Sequence, residues 1–206
     1  MSRELTRKDL LRSVADFLRE VGERVDGPRS FPRERLLRPP GALAPDAAYL
    51  AACTACEACV VACPHGSIVM EVAVAGTERR VAVIVPERMP CYLCEGLPCV
   101  IACTPGALRH PGSAPLVRLG VAQVDPRLCR AFHGKCDLCV RACPYPEVAI
   151  RTVGGRPLVV PERCTGCGLC VAACPERPRA IRVHAERTLT PGSRLPVLLP
   201  PSGLAG

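Results

Sequence analysis

The residues best suited to chemistry are the sixteen cysteines. One stretch sets their pattern: Cys164, Cys167, Cys170 and Cys174-Pro175, a C-x2-C-x2-C-x3-C-P run. Three thiolates at this spacing wrap one side of an iron–sulfur cubane, while the fourth points away and ligates a second cluster. Gly166 and Gly168 suit a loop whose backbone passes close to inorganic sulfide, where a side chain would clash. Pro175 lacks an N–H and restricts the chain just after the last ligand.

The same arrangement recurs three times. Cys53, Cys56, Cys59 and Cys63-Pro64 repeat the plain spacing. Cys91, Cys94, Cys99 and Cys103 have four residues before the third ligand, and Cys129, Cys136, Cys139 and Cys143 have six in the first gap. No cysteine is left over, so four thiolates per centre give four [4Fe–4S] clusters. A disulfide framework belongs to small chains in oxidising compartments and gives no reason for four C-x2-C groups. Structural zinc usually takes separated C-x2-C pairs. No C-x-x-C-H run is present to attach haem.

Composition narrows the functional classes. Three Phe, three Tyr and no Trp are little aromatic material for 206 residues, so the clusters must supply part of the core and the apo chain should be largely unfolded. The formal charge of +8 counts every thiol as neutral. Four oxidised clusters with their thiolates add about −8, which brings the holoprotein near neutrality. A nucleic-acid partner is therefore not implied, and no nucleic-acid motif is present. No apolar run reaches the ~20 residues that span a bilayer. Charges within residues 13–24 interrupt what an export signal would need as its apolar segment, which points to a cytoplasmic location.

The elements that must position the cysteines follow from the pattern. Leu11, Val14, Leu18, Val21 and Val25 mark an amphipathic helix within residues 1–27. A Pro- and Arg-rich linker is expected over 28–47, a four-cluster domain over 48–187 and a Pro-rich tail over 188–206. Two hairpins are expected, Val72–Ala75 with Val81–Val85 and Val148–Val153 with Arg156–Val160, and short helices within the last two cysteines of each group. Each cluster loop is followed by a small apolar pair such as Ala107-Leu108 or Ala180-Ile181. His133, inside the Cys129–Cys136 gap, is the best candidate for tuning a cluster by hydrogen bonding. Tyr92, Phe132 and Tyr145 flank ligands as water shields. No phosphate-binding loop, dinucleotide fingerprint or nucleophile elbow occurs, so the expected chemistry is electron carriage and not catalysis.

Residues 38–63, from Arg38-Pro-Pro-Gly-Ala-Leu43 to Cys63, resemble the opening of the NapG/MauM ferredoxin-type proteins. Cys91-Tyr-Leu-Cys94-Glu-Gly-Leu-Pro-Cys99 and the stretched gap after Cys129 resemble their second and third motifs. The resemblance covers about residues 38–184. It implies four [4Fe–4S] clusters and electron relay beside a membrane-bound quinol-oxidising partner, or service as a subunit beside a catalytic chain. A role in maturing a metalloenzyme is the third alternative. With such a partner the chain would sit peripherally at the membrane face.

Because a three-ligand loop borrows its fourth cysteine from another motif, the four motifs pair either sequentially or in a nested way. The outer two share the plain spacing and the inner two carry the insertions. That likeness, and the resemblance to four-cluster relay proteins, favours nesting. The expected sets are Cys53, Cys56, Cys59 with Cys174; Cys164, Cys167, Cys170 with Cys63; Cys91, Cys94, Cys99 with Cys143; and Cys129, Cys136, Cys139 with Cys103. The expected fold is α+β: two ferredoxin-like dicluster units, the outer from 48–70 and 155–187 and the inner from 86–153, with small hairpins and short helices around the clusters.

Overall fold

The computed structural model describes residues 36–72 and 78–185. The helix expected near the N-terminus, the tail from 188 and the turn of the first hairpin lie outside the described residues. Among the described residues no helix is long and apolar enough to cross a membrane.

Apolar alternation produces three small antiparallel sheets. Strands β1 (Ile68–Val72) and β2 (Arg80–Ile84) pair with Ile68 opposite Ile84. Strand β3 (Gly120–Val124) pairs with the distant β6 (Ile181–Ala185), and β4 (Ile150–Val153) pairs with β5 (Arg156–Val159). The β4–β5 turn is Gly154-Gly155, both at positive φ, as a two-residue hairpin connection needs. The first hairpin begins four residues earlier than expected, at Ile68, because Ile68 and Met70 face inward.

A two-stranded sheet is marginal by itself, and each is covered by neighbouring chain. Leu37 exchanges both backbone hydrogen bonds with Ile84 on the free edge of β2, at 2.9 and 2.8 Å. The expected linker is thus core over its described start, with Leu36, Leu37, Pro39 and Pro40 buried, and surface only from Ala44. Arg38 is buried too. It donates from Nε and Nη2 to the two carboxylate oxygens of Asp46 at 2.7 and 3.0 Å and lies 4.8 Å over the Tyr49 ring. Asp46 opens helix α1 (Asp46–Ala52), and the buried Tyr49 hydroxyl donates to Ala82 O in β2 at 2.7 Å.

Among the described residues the other α-helices are single turns: α2 (Ala58–Val61), α3 (Pro98–Ile101), α4 (Leu138–Arg141) and α5 (Leu169–Ala173). Each begins one residue before the third cysteine of its motif, slightly earlier than expected, and ends before the fourth. Helices this short do not form alone. They are held by packing, α2 against α3 and α4 against α5.

The chain runs through this plan twice. In the second pass β3 precedes the third motif, β4–β5 separates the third from the fourth, and β6 returns to β3. In the first pass the segment at Leu37–Leu43 takes the place of β3, and Ala107–Arg109 that of β6. The likeness extends to single bonds: Leu43 N donates to Ala107 O at 3.0 Å, and Asp125 N to Ala180 O at 2.7 Å. A hairpin therefore folds motif one onto motif two and motif three onto motif four. The expected outer and inner units are not what these pairings build.

Candidate cluster sites

The fold gathers the cysteines around four cavities, each named here for the motif that supplies three of its residues. Site 1 has Cys53, Cys56 and Cys59 with Cys103, and site 2 has Cys91, Cys94 and Cys99 with Cys63. Site 3 has Cys129, Cys136 and Cys139 with Cys174, and site 4 has Cys164, Cys167 and Cys170 with Cys143. The four cavities are alike in size and each opens in part to solvent. All sixteen cysteines are used, and all are free thiols.

This grouping corrects the nested assignment. Cys174 lies with Cys129 and not with Cys53; Cys63 lies with Cys91 and not with Cys164; Cys143 and Cys103 likewise change places. The physical reason is the hairpin between consecutive motifs. It closes a loop of tens of residues where nesting closes one of about a hundred, and closure entropy grows with loop length.

The cavities fit a polynuclear cluster better than a lone ion. Zinc at about 2.3 Å from four thiolates would draw the sulfurs to about 3.8 Å of one another. Among the described residues no three Cys, His, Asp or Glu side chains converge closely enough to hold one metal ion. The walls between cysteines are apolar: Met70 and Leu108 in site 1, Ile68 and Ile84 in site 2, Val124 and Ile181 in site 3, Ala122 and Val183 in site 4. Backbone amides aim at ligand sulfurs. Ser67 N donates to Cys63 Sγ and Leu108 N to Cys103 Sγ, both at 3.3 Å, and Ala122 N to Cys164 Sγ at 3.5 Å. Hydrogen bonds to cluster sulfurs are one of the levers on reduction potential. No sequence signal marks these donors, because every residue type except proline supplies an amide N–H.

Burial sets the protonation of the thiols. It pushes Cys59 and Cys99 up to about 11 and Cys91 up to about 12. Cys170, also buried, is driven well above the ordinary thiol range by burial and then by Cys167 and Cys164. Cys56, the only exposed cysteine of the sixteen, is lowered by the Ala58 amide and then by the Thr54 side chain. Thiols buried in this way stay protonated until a cationic cluster core displaces the proton, so metal binding and proton release are coupled.

The flanking residues differ from expectation. His133 is exposed and is not on the wall of site 3. His65 instead lines site 2, with its ring stacked on Tyr92 at 4.1 Å between centroids. Tyr92 thus stands where a shield was expected. Phe132 packs under the Arg156 guanidinium at 5.0 Å, away from the cavity wall, and Tyr145 is likewise not a wall residue of site 4.

The glycines of motif four also have a cause in the surrounding protein. Gly166 and Gly168 adopt φ +70° and +86°. A Cβ on Gly166 would fall 2.4 Å from the backbone N and O of Gly120, and one on Gly168 would fall 2.5 Å from Pro86 Cβ. Neighbouring protein, approaching that closely, is what excludes a side chain.

Known proteins support the same chemistry. A 4Fe-4S dicluster domain model matches residues 122–175, and a 4Fe-4S binding domain model matches residues 50–73. The methylamine utilization ferredoxin-type protein MauM of Paracoccus denitrificans is 36% identical over 80% of each chain. The ferredoxin-type protein NapG of Escherichia coli is 38% identical over 55% of this chain and 50% of its own length. The thiosulfate reductase electron transfer subunit PhsB of Salmonella typhi is 32% identical over 45% of this chain and 48% of its own. No solved structure matches. With the MauM likeness spanning most of both sequences, the chain belongs to the MauM and NapG family of ferredoxin-type proteins.

Proposed function

We propose that the chain is an electron carrier with four [4Fe–4S] clusters, one in each four-cysteine site, built as two dicluster ferredoxin-like units in tandem. The observation that carries this reading is the gathering of sixteen free cysteines into four complete sets around separate cavities. The clusters supply one-electron exchange without bond making. The chain's own residues hold them, keep water from the inner sulfurs with apolar walls, and direct the amides of Ser67, Leu108 and Ala122 at ligand atoms.

The partners are redox proteins: a membrane-bound quinol-oxidising protein, or a catalytic subunit to which the chain is permanently attached. The likeness to PhsB, named as an electron transfer subunit, favours the second of these. A membrane-bound partner would hold the chain peripherally at the membrane face. Anaerobic purification should give about sixteen iron and sixteen sulfide per chain, reducible in one-electron steps. A redox-silent protein that carries zinc after anaerobic iron reconstitution would overturn the proposal, and co-purification from the native host would separate a mobile carrier from a fixed subunit.

A further inference from the structure

Sites 1 and 2 draw on residues 53–103, and sites 3 and 4 on residues 129–174. Exchange of a fourth cysteine ties site 1 to site 2 and site 3 to site 4. The two pairs meet through ligand-bearing backbone. The Cys91 amide of site 2 donates to the Cys167 carbonyl of site 4 at 2.8 Å. Beside it, Gly168 lies against Pro86, the residue that follows the lead-in strand of motif two, so closely that no Cβ fits. Two ligand-bearing peptides from different halves are thus directly hydrogen-bonded, and a glycine permits the approach.

We propose that this Cys91–Cys167 peptide contact is the bridge by which an electron crosses between the halves, so that the four sites form one row in the order site 1, site 2, site 4, site 3. The proposal rests on the reading that each site holds a cluster. One electron leaves a reduced site and arrives at its oxidised neighbour; no bond or proton moves, and an external one-electron reductant supplies the charge. Within each half the neighbours are equally direct: Cys63 of motif one lines site 2 while Cys103 of motif two lines site 1, and Cys143 of motif three lines site 4 while Cys174 of motif four lines site 3. The row places site 1, with the exposed Cys56, at one end, where a partner can reach it.

The test is pulsed EPR on the reduced, full-length holoprotein, reading spin relaxation at site 4. Relaxation there should change when site 2 is altered by Cys94→Ala and when site 3 is altered by Cys136→Ala, and should not change when site 1 is altered by Cys56→Ala. Gly168→Ala, which forces the ligand loop away from Pro86, should weaken iron retention at site 4 and lose the relaxation coupling between sites 2 and 4 in the molecules that keep full iron, and Gly168→Ala with Pro86→Gly should regain both. A purely structural contact would leave that coupling unmoved. If site 4 is indifferent to Cys94→Ala in protein whose wild type holds sixteen iron, the row is wrong while the four clusters stand. If Gly168→Ala retains the coupling, or the double variant fails to restore it, the bridge is wrong. A wild-type count well below sixteen removes the reading on which the row depends.

Discussion

Motifs one and four have the same spacing and opposite surroundings. In both, the residue before the second cysteine and the residue after it sit at positive φ: Ala55 and Glu57 at 58° and 62°, Gly166 and Gly168 at 70° and 86°. The ligand loop therefore demands the left-handed backbone twice, whatever the side chain. Motif one presents that loop to solvent, where Ala55 and Glu57 find room at a cost of about 1–2 kcal/mol each. Motif four presents it to Gly120 and Pro86, where no Cβ fits. Glycine in such a loop thus reports crowding from outside, and its absence from motif one reports exposure.

Substitution at the equivalent positions sharpens this comparison most. Gly166→Ala should lose about 3 kcal/mol or more, from left-handed strain plus contact with the Gly120 backbone. Anaerobic thermal unfolding should show the loss together with iron release from sites 3 and 4. A stable Gly166→Ala protein with full iron would break the argument that crowding selected the glycine.

The next effects concern whole sites. Cys63→Ser and Cys91→Ser should perturb the same EPR centre, and Cys143→Ser and Cys164→Ser should share another. Finding Cys63→Ser and Cys164→Ser on one centre would restore nested wiring. Oxygen should strip site 1 first, through the exposed Cys56, so iron should fall by about four per chain before any further loss. Simultaneous loss from all sites would deny that the exposure of motif one matters.

Smaller changes test the supports. Tyr49→Phe leaves the buried Ala82 carbonyl without its donor and should cost about 1–2 kcal/mol in unfolding, with little effect on iron content. The smallest effect is expected from Ala55→Gly. Relief of the left-handed strain is offset by the extra freedom of glycine in the unfolded chain, leaving a change below about 1 kcal/mol. A large shift there would mean that the exposed loop is more constrained than its surroundings imply.

Much of the site was legible because ligand chemistry is local. All sixteen thiols, the loops that carry them, the β4–β5 hairpin and the buried pairs at Ala107-Leu108 and Ala180-Ile181 follow from spacing and alternation, which act over a few residues. Three features were not legible. The segment at Leu36–Ala42 reads as a linker by composition, yet packs as core because a free strand edge at Ile84 needed a partner. His133 stands between two ligands in sequence, but the loop turns it outward, and His65 reaches a cavity wall instead. Most instructive is the exchange of fourth cysteines. Motif spacing records only the length of a loop, so two like motifs need not pair. The sequence by itself determined which atoms can bind and how each loop must bend. Tertiary structure decided which loops share a site, because that depends on which hairpin closes at the lowest entropic cost and on which backbones approach closely enough to exclude a side chain.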